Sequence, residues 1–136
     1  KVSAGLREMS MELPVPGILE SPFGVFESKI FSYKKQKIEE KKYTKWFDYD
    51  KIKNSPCVRT RRQGDYLTVN SEGGRKKLNR IFIDEKIPAE MRDRLPVVAV
   101  GSEILWIPGG RMNEKYKITS TTGRVLELHY QGGALA

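Results

Sequence analysis

The sequence is poor in the residues that do most enzyme chemistry. It has one histidine, His129, and one cysteine, Cys57, in 136 residues. One cysteine rules out an internal disulfide framework and fits a reducing, cytoplasmic setting. A lone histidine with no second His or Cys at ligand spacing argues against a metal centre, so ordinary packing or surface exposure is expected for His129, and burial for Cys57. Long apolar runs are also missing: none approaches the ~18 residues that a membrane span requires. The first ten residues, KVSAGLREMS, lack the apolar stretch of a secretory leader, and the chain starts on Lys rather than Met, as a fragment or processed product would. No GxxxxGK[ST], GxSxG or GxGxxG motif occurs.

What the sequence has in excess is positive charge. Lys and Arg number 25 against 17 Asp and Glu, a formal net charge of +8. Such a field calls for an anionic partner, most commonly nucleic acid. The charge is concentrated. Seven basic side chains (Arg59, Arg61, Arg62, Arg75, Lys76, Lys77 and Arg80) fall in 22 positions, opposed there only by Asp65 and Glu72. A second concentration, six lysines against two glutamates from Lys34 to Lys45, has no apolar period and reads as a solvated loop.

The pattern of strands and turns predicts an α+β domain in layers, with antiparallel or mixed strands and two short central helices. GILES and GVFESKIFSY flank SPFG as a hairpin, preceded by an edge strand or entry loop at ELPVPG. Trp46, Phe47 and Tyr49 are expected packing anchors. CVRTRR and DYLTVN read as short strands around Gln63-Gly64. Gly73-Gly74 is expected to open a helix in which Leu78, Ile81 and Phe82 form the apolar stripe, with Lys76 and Arg80 together on another face. Pro88 should start a second short helix, PAEMRDRL, buried through Met91 and Leu95. VVAV, ILWI, KYKIT and RVLELHY complete the strands, and QGGALA should fray. The expected organisation is an N-terminal hairpin segment with the lysine-rich loop over 1–42, a nucleic-acid-binding domain over 43–130 and a tail over 131–136.

Two chemical readings of the basic stretch compete. In one, Gly73 and Gly74 free the backbone, and the following helix start offers an anion cradle, with Gly64 and Asp65 forming a second turn. Asp65 could act as a base there, but a turn carboxylate that orders the neighbouring arginines is the simpler role. In the other, alternation along a strand sends Arg59 and Arg61 to one face and Arg62 to the opposite one. A helix edge carrying Lys76, Lys77 and Arg80 then completes a phosphate-binding surface. A solvated face paired to Glu85, Glu90 and Asp93 is the plain alternative.

Residues 43–119 resemble the C-terminal region of bacterial tRNA(Ile)-lysidine synthetases. The resemblance rests on an ordered series: the strand Arg59 to Arg62, Gly64-Asp65, Gly74 with Lys76-Lys77-Leu78, Phe82 to Pro88, Arg92-Asp93 with Pro96, and Ile104 to Gly109, preceded by WFDYDKI. It implies a fold similar to a domain of phenylalanyl-tRNA synthetase β chains. It also implies a tRNA-binding part of an enzyme that uses ATP to attach lysine to the wobble cytidine of isoleucine tRNA, so that the tRNA reads AUA instead of AUG. The family's ATP site is a Ser-Gly-Gly PP-loop in an N-terminal domain. That motif is absent from this sequence, so no catalytic residue and no cofactor is expected here, with ATP and magnesium belonging to the parent enzyme. The implied partners are the acceptor-stem end of the tRNA and the catalytic domain of the same parent chain. Arg59, Arg61, Arg62, Arg75, Lys76, Lys77, Arg80, Arg92 and Arg94 are the implied contacts. A scaffolding or homodimerising module, or a small phosphate-ligand domain, are the alternatives.

Overall fold

Turn chemistry sets the first hairpin. In the computed structural model, which describes residues 9–132, Ser21 Oγ donates to Gly24 O at 2.7 Å and accepts from Phe23 N. This closes the Ser-Pro-Phe-Gly turn between β2 (Gly17–Ser21) and β3 (Gly24–Ser32). The long β3 pairs antiparallel along all nine residues of β10 (Arg124–Gly132). On its other side β10 takes β4 (Thr44–Asp48). The resulting four-stranded sheet has the order β2-β3-β10-β4, so the N-terminal hairpin and the far C-terminal strand share one sheet.

A second sheet is built from short pieces: β1 (Ser10–Glu12), β5 (Cys57–Arg59), β6 (Tyr66–Thr68), β7 (Arg75–Lys77), β8 (Val97–Val100) and β9 (Glu103–Trp106). Its order is β1-β5-β8-β9-β6-β7, antiparallel except where β6 runs parallel to β9. This sheet is the middle layer. Val58, Val98 and Leu105 pack toward Phe26, Phe47, Leu126, Leu128 and Tyr130 of the four-stranded sheet. Val97, Ala99 and Ile104 face the other way, onto Leu78, Ile81 and Phe82 of the helix α1 (Leu78–Asp84). The period-2 pattern of β8 thus feeds two cores at once. Burying each such side chain contributes about 1.5–3 kcal/mol. A short helix, α2 (Ala89–Arg92), follows Pro88 as its N-cap, with Met91 and Leu95 half-buried.

Three local expectations give way. Gly73-Gly74 does not open a helix: Arg75–Lys77 is instead an edge strand paired with Tyr66–Thr68, and the helix starts only at Leu78, whose N–H donates to Asp65 O. Sheet hydrogen bonds claim the backbone there first, and a lysine-rich edge also resists unwanted strand pairing. Lys76 and Arg80 therefore do not share a helix face. Second, CVRTRR is strand only as far as Arg59, and β5 lies between β1 and β8 rather than beside β6. Third, KYKIT is not a strand. Asn113, fully buried, donates to Ile104 O and accepts from Lys115 N, which folds Glu114–Tyr116 into a 3-10 turn. Gln131 and Gly132 continue β10, and the rest of the expected tail lies outside the described residues.

Candidate nucleic-acid interface

The basic residues divide into those that hold the fold and those that face solvent. Arg59, expected as a contact, is 1% exposed. Its Nη1 and Nη2 donate to the two oxygens of Asp65 at 2.9 and 2.8 Å, and to Thr60 O and Gly101 O. Burial works to lower the pKa of Arg59, but the hydrogen bonds and charge of Asp65 outweigh it and raise the value, so the guanidinium stays charged. Asp65 also accepts from Arg62 N at 2.6 Å. The turn carboxylate therefore orders its neighbouring arginines, as the sequence suggested, but Arg59 is removed from any ligand-facing surface. A guanidinium that satisfies a buried carboxylate and two carbonyls has nothing left to present.

Where the strand ends, the side chains separate. Arg61 turns toward the helices: its Nε donates to Asp93 Oδ1 and its Nη1 to Asn79 Oδ1, both at 2.9 Å. Arg62 is exposed with no side-chain partner among the described residues. Along β7 the alternation is strict. Lys76 lies opposite Leu67 of the helix-side core and reaches Asp84 on α1 at 2.5 Å, where Arg80 also arrives at 3.3 Å. Arg75 and Lys77 take the opposite face, Arg75 lying over the Tyr66 ring at 4.6 Å, within cation–π range. The basic groups thus wrap around the β7 edge instead of forming one flat patch. The hydrogen bond from Lys76, chiefly, holds the Asp84 carboxyl below its ordinary value.

Arg92 and Arg94 differ in the same way. Arg92 Nε donates to Ile87 O and ties down the link between the two helices. Arg94 is exposed at the rim of a groove of about 690 Å³ lined by Tyr43, Met91, Leu95, Ile107 and Tyr130.

The expected anion cradle is not formed. Asn70 Oδ1 accepts from Glu72 N and Gly74 N, and Asn70 O accepts from Gly73 N, so the loop amides point at Asn70. Gly73 is needed for its φ of +88°, and a Cβ on Gly74 would lie 2.6 Å from the Asn70 amide. Gly64, at φ +92°, plays the matching part in the Asp65 turn. The signal for this knot was the Asn-x-x-Gly-Gly spacing, which suits an Asx turn. Among the described residues no group of three or more His, Cys, Asp or Glu is placed to hold a metal, and no helix is long and apolar enough to cross a membrane. In the lysine-rich loop, Lys41 and Lys45 pair with Glu39 and Glu40, and Lys35 donates to Ser120 O.

Comparison with known proteins supplies the frame for this surface. The family model of the TilS substrate C-terminal domain matches residues 57–128, from the start of β5 into β10. The chain belongs to that family. Among curated relatives of this TilS C-terminal domain, the tRNA(Ile)-lysidine synthase of Caldanaerobacter subterraneus subsp. tengcongensis is 50% identical over 88 residues, which are 65% of this chain and 19% of that protein. The tRNA(Ile)-lysidine synthase of Clostridium perfringens is 38% identical over 110 residues, 80% of this chain and 23% of that protein. The one from Geobacillus kaustophilus is 37% identical over 123 residues, 88% and 26%. The chain thus spans about a fifth to a quarter of the length of these relatives. A crystal structure of a TilS C-terminal domain superposes with a TM-score of 0.76 at 33% identity, covering 91% of this chain and 96% of that one. The layered α+β architecture is therefore that of the TilS C-terminal domain.

Proposed function

We propose that this TilS C-terminal domain is the tRNA-recognition part of a tRNA(Ile)-lysidine synthase and grips the acceptor-stem end of isoleucine tRNA. The observation that carries this reading is the solvent-facing basic rim at the β7 edge. Arg62, Arg75 and Lys77 stand open there, in a domain whose relatives are named for a tRNA substrate. An A-form stem offers phosphates and 2′-hydroxyls across a shallow minor groove, while its major groove is too deep and narrow for side chains. A rim that curves around a sheet edge can follow such a backbone. Ligation of lysine to the wobble cytidine, with ATP and magnesium, belongs in this reading to a catalytic domain of the same cytoplasmic parent, which is the second partner. Arg62, Arg75, Lys77 and Arg94 supply most of the attraction; Lys76 and Arg80 contribute less, because Asp84 already holds them.

The test is fluorescence anisotropy of the 136-residue chain titrated onto an isoleucine acceptor-stem minihelix over a salt series. Each neutralised phosphate adds about −0.7 to −0.9 to the slope of log K against log salt. A steep slope is expected, with tighter binding to this stem than to an unrelated one. Absence of binding at low salt would overturn the reading and favour a scaffold.

A further inference from the structure

Arg61 differs from every other basic residue of the rim in being held at two points. Its Nε–H goes to Asp93 Oδ1 and one Nη1–H to Asn79 Oδ1. The two acceptors come from different elements, Asn79 from the first turn of α1 and Asp93 from the end of α2. A guanidinium anchored from two directions has its plane fixed. Its side chain remains 24% exposed, and Nη2 has no partner among the described residues. Of the five N–H groups of an arginine, three are therefore unused: both on Nη2 and one on Nη1. Both Nη2 N–H groups are thus free, one at the end of the guanidinium and one beside Nε, so Nη2 can donate to two acceptors at once. Arg62 and Lys77, by contrast, are exposed and untethered, and Arg75 merely lies over Tyr66. Freely rotating cations suit phosphates, whose positions tell nothing of sequence; a fixed fork suits a fixed pair of acceptors.

We propose that Arg61 is the specificity-determining residue of the RNA interface, and that Asn79 and Asp93 are its positioning residues. The free Nη2 group reads a pair of acceptors on the minor-groove edge of the stem: a purine N3 or pyrimidine O2 together with a neighbouring 2′-hydroxyl. The proposal rests on the RNA-binding reading above and assigns selectivity within it. Affinity comes from the open cations, and discrimination from Arg61. Lysine cannot replace arginine here, because a single ammonium on a flexible stem has neither the fork nor the two anchors.

The experiment compares wild type, Arg61→Lys, Asn79→Ala and Arg62→Glu on two probes: the isoleucine acceptor minihelix, and the same minihelix with its A·U and G·C pairs exchanged, which adds or removes the guanine N2 amino group in the minor groove. Arg61→Lys and Asn79→Ala are expected to lower the affinity ratio between the two stems by about fivefold or more, in line with the discrimination that one bidentate pair supplies. Their salt slopes should stay as in wild type, since Lys keeps the charge and Asn79 carries none. Arg62→Glu should weaken both stems alike and leave the ratio intact. The assignment is overturned if Arg61→Lys keeps the wild-type ratio, which would make Arg61 an ordinary phosphate contact. A wild type that binds both stems tightly and equally also overturns it, while leaving RNA binding itself standing. A wild type that binds neither stem overturns both.

Discussion

Arg59 and Arg61 stand two residues apart, and each donates to an aspartate at 2.8–2.9 Å. In the first pair both side chains are 2% exposed; in the second, 24% and 41%. The bond lengths do not separate them. What separates them is whether the guanidinium has anything left over. Arg59 spends its Nη groups on Asp65 and on the carbonyls of Thr60 and Gly101, and its Nε is shut away from solvent. Arg61 keeps its Nη2 group. The buried pair fixes the turn from which the second arginine is launched, so the placing of Arg61 depends on an ion pair that is itself shut away from solvent.

The largest expected effect comes from breaking the buried pair. Asp65→Ala leaves an arginine with no counter-charge in a water-excluded site and strips Arg62 N and the Arg59 fork of their acceptor. Removing one partner of a buried ion pair costs about 3–5 kcal/mol, and urea unfolding should show it. Asp93→Ala, at the exposed pair, should cost less than about 1 kcal/mol by the same measurement. Equal losses in the two variants would erase the distinction.

Next in size is the binding effect at the open cations. Arg62→Glu with Lys77→Glu should weaken minihelix binding by well over tenfold and flatten the salt slope by about 0.7–0.9 for each phosphate no longer neutralised. Thermal stability should hold, since neither side chain has a partner among the described residues. Binding unchanged would place the RNA elsewhere.

Much of this arrangement was legible beforehand, where local chemistry decides the outcome. Pro22 and Gly24 marked the hairpin, Leu78, Ile81 and Phe82 marked the buried stripe of α1, and Asp65 was recognisable as an ordering carboxylate. The failures have two causes: a local turn whose signal was read as something else, and a distant partner that took over. Arg75–Lys77 looks like the first turn of a helix, but the Asn70 turn folds it back as a hairpin onto 66–68, seven to eleven positions upstream. KYKIT alternates like a strand, yet Asn113 pins it to Ile104. Arg59, Arg61 and Arg62 are the same residue type in nearly consecutive positions, and nothing local says which is enclosed. Asn79 and Asp93 were invisible as positioning residues because they lie 18 and 32 positions from Arg61.

A smaller effect is expected at the intermediate case, Asp84, which holds Lys76 and Arg80 at the surface. Its carboxyl sits below the ordinary value, first through the hydrogen bond from Lys76. A depressed carboxylate contributes above its unfolded pKa and loses that contribution as pH falls through the folded one. These pairs should therefore persist from about pH 5 to 8 and fail only in stronger acid. Asp84→Asn frees both cations at neutral pH and should raise affinity for either stem by a few-fold, steepening the salt slope. A constant slope would mean that Lys76 and Arg80 face away from the RNA.

The smallest expected effect carries the sharpest test of location. Lys29 lies exposed on the four-stranded sheet, on the face opposite the buried Phe26 and Ser28 and across from Glu127 on β10. Lys29→Glu and Arg62→Glu each lower the net charge by two. If RNA responded only to the total field of +8, the two variants would lose affinity together, because a diffuse field does not distinguish where a charge sits. Contacts at the rim predict otherwise: at 0.15 M salt the Debye length is about 8 Å, so a charge in another layer of the fold is screened from the RNA. Lys29→Glu should then change affinity by less than about twofold, while Arg62→Glu alone weakens it several-fold. Anisotropy titrations of the two single variants under one buffer decide between the field and the surface.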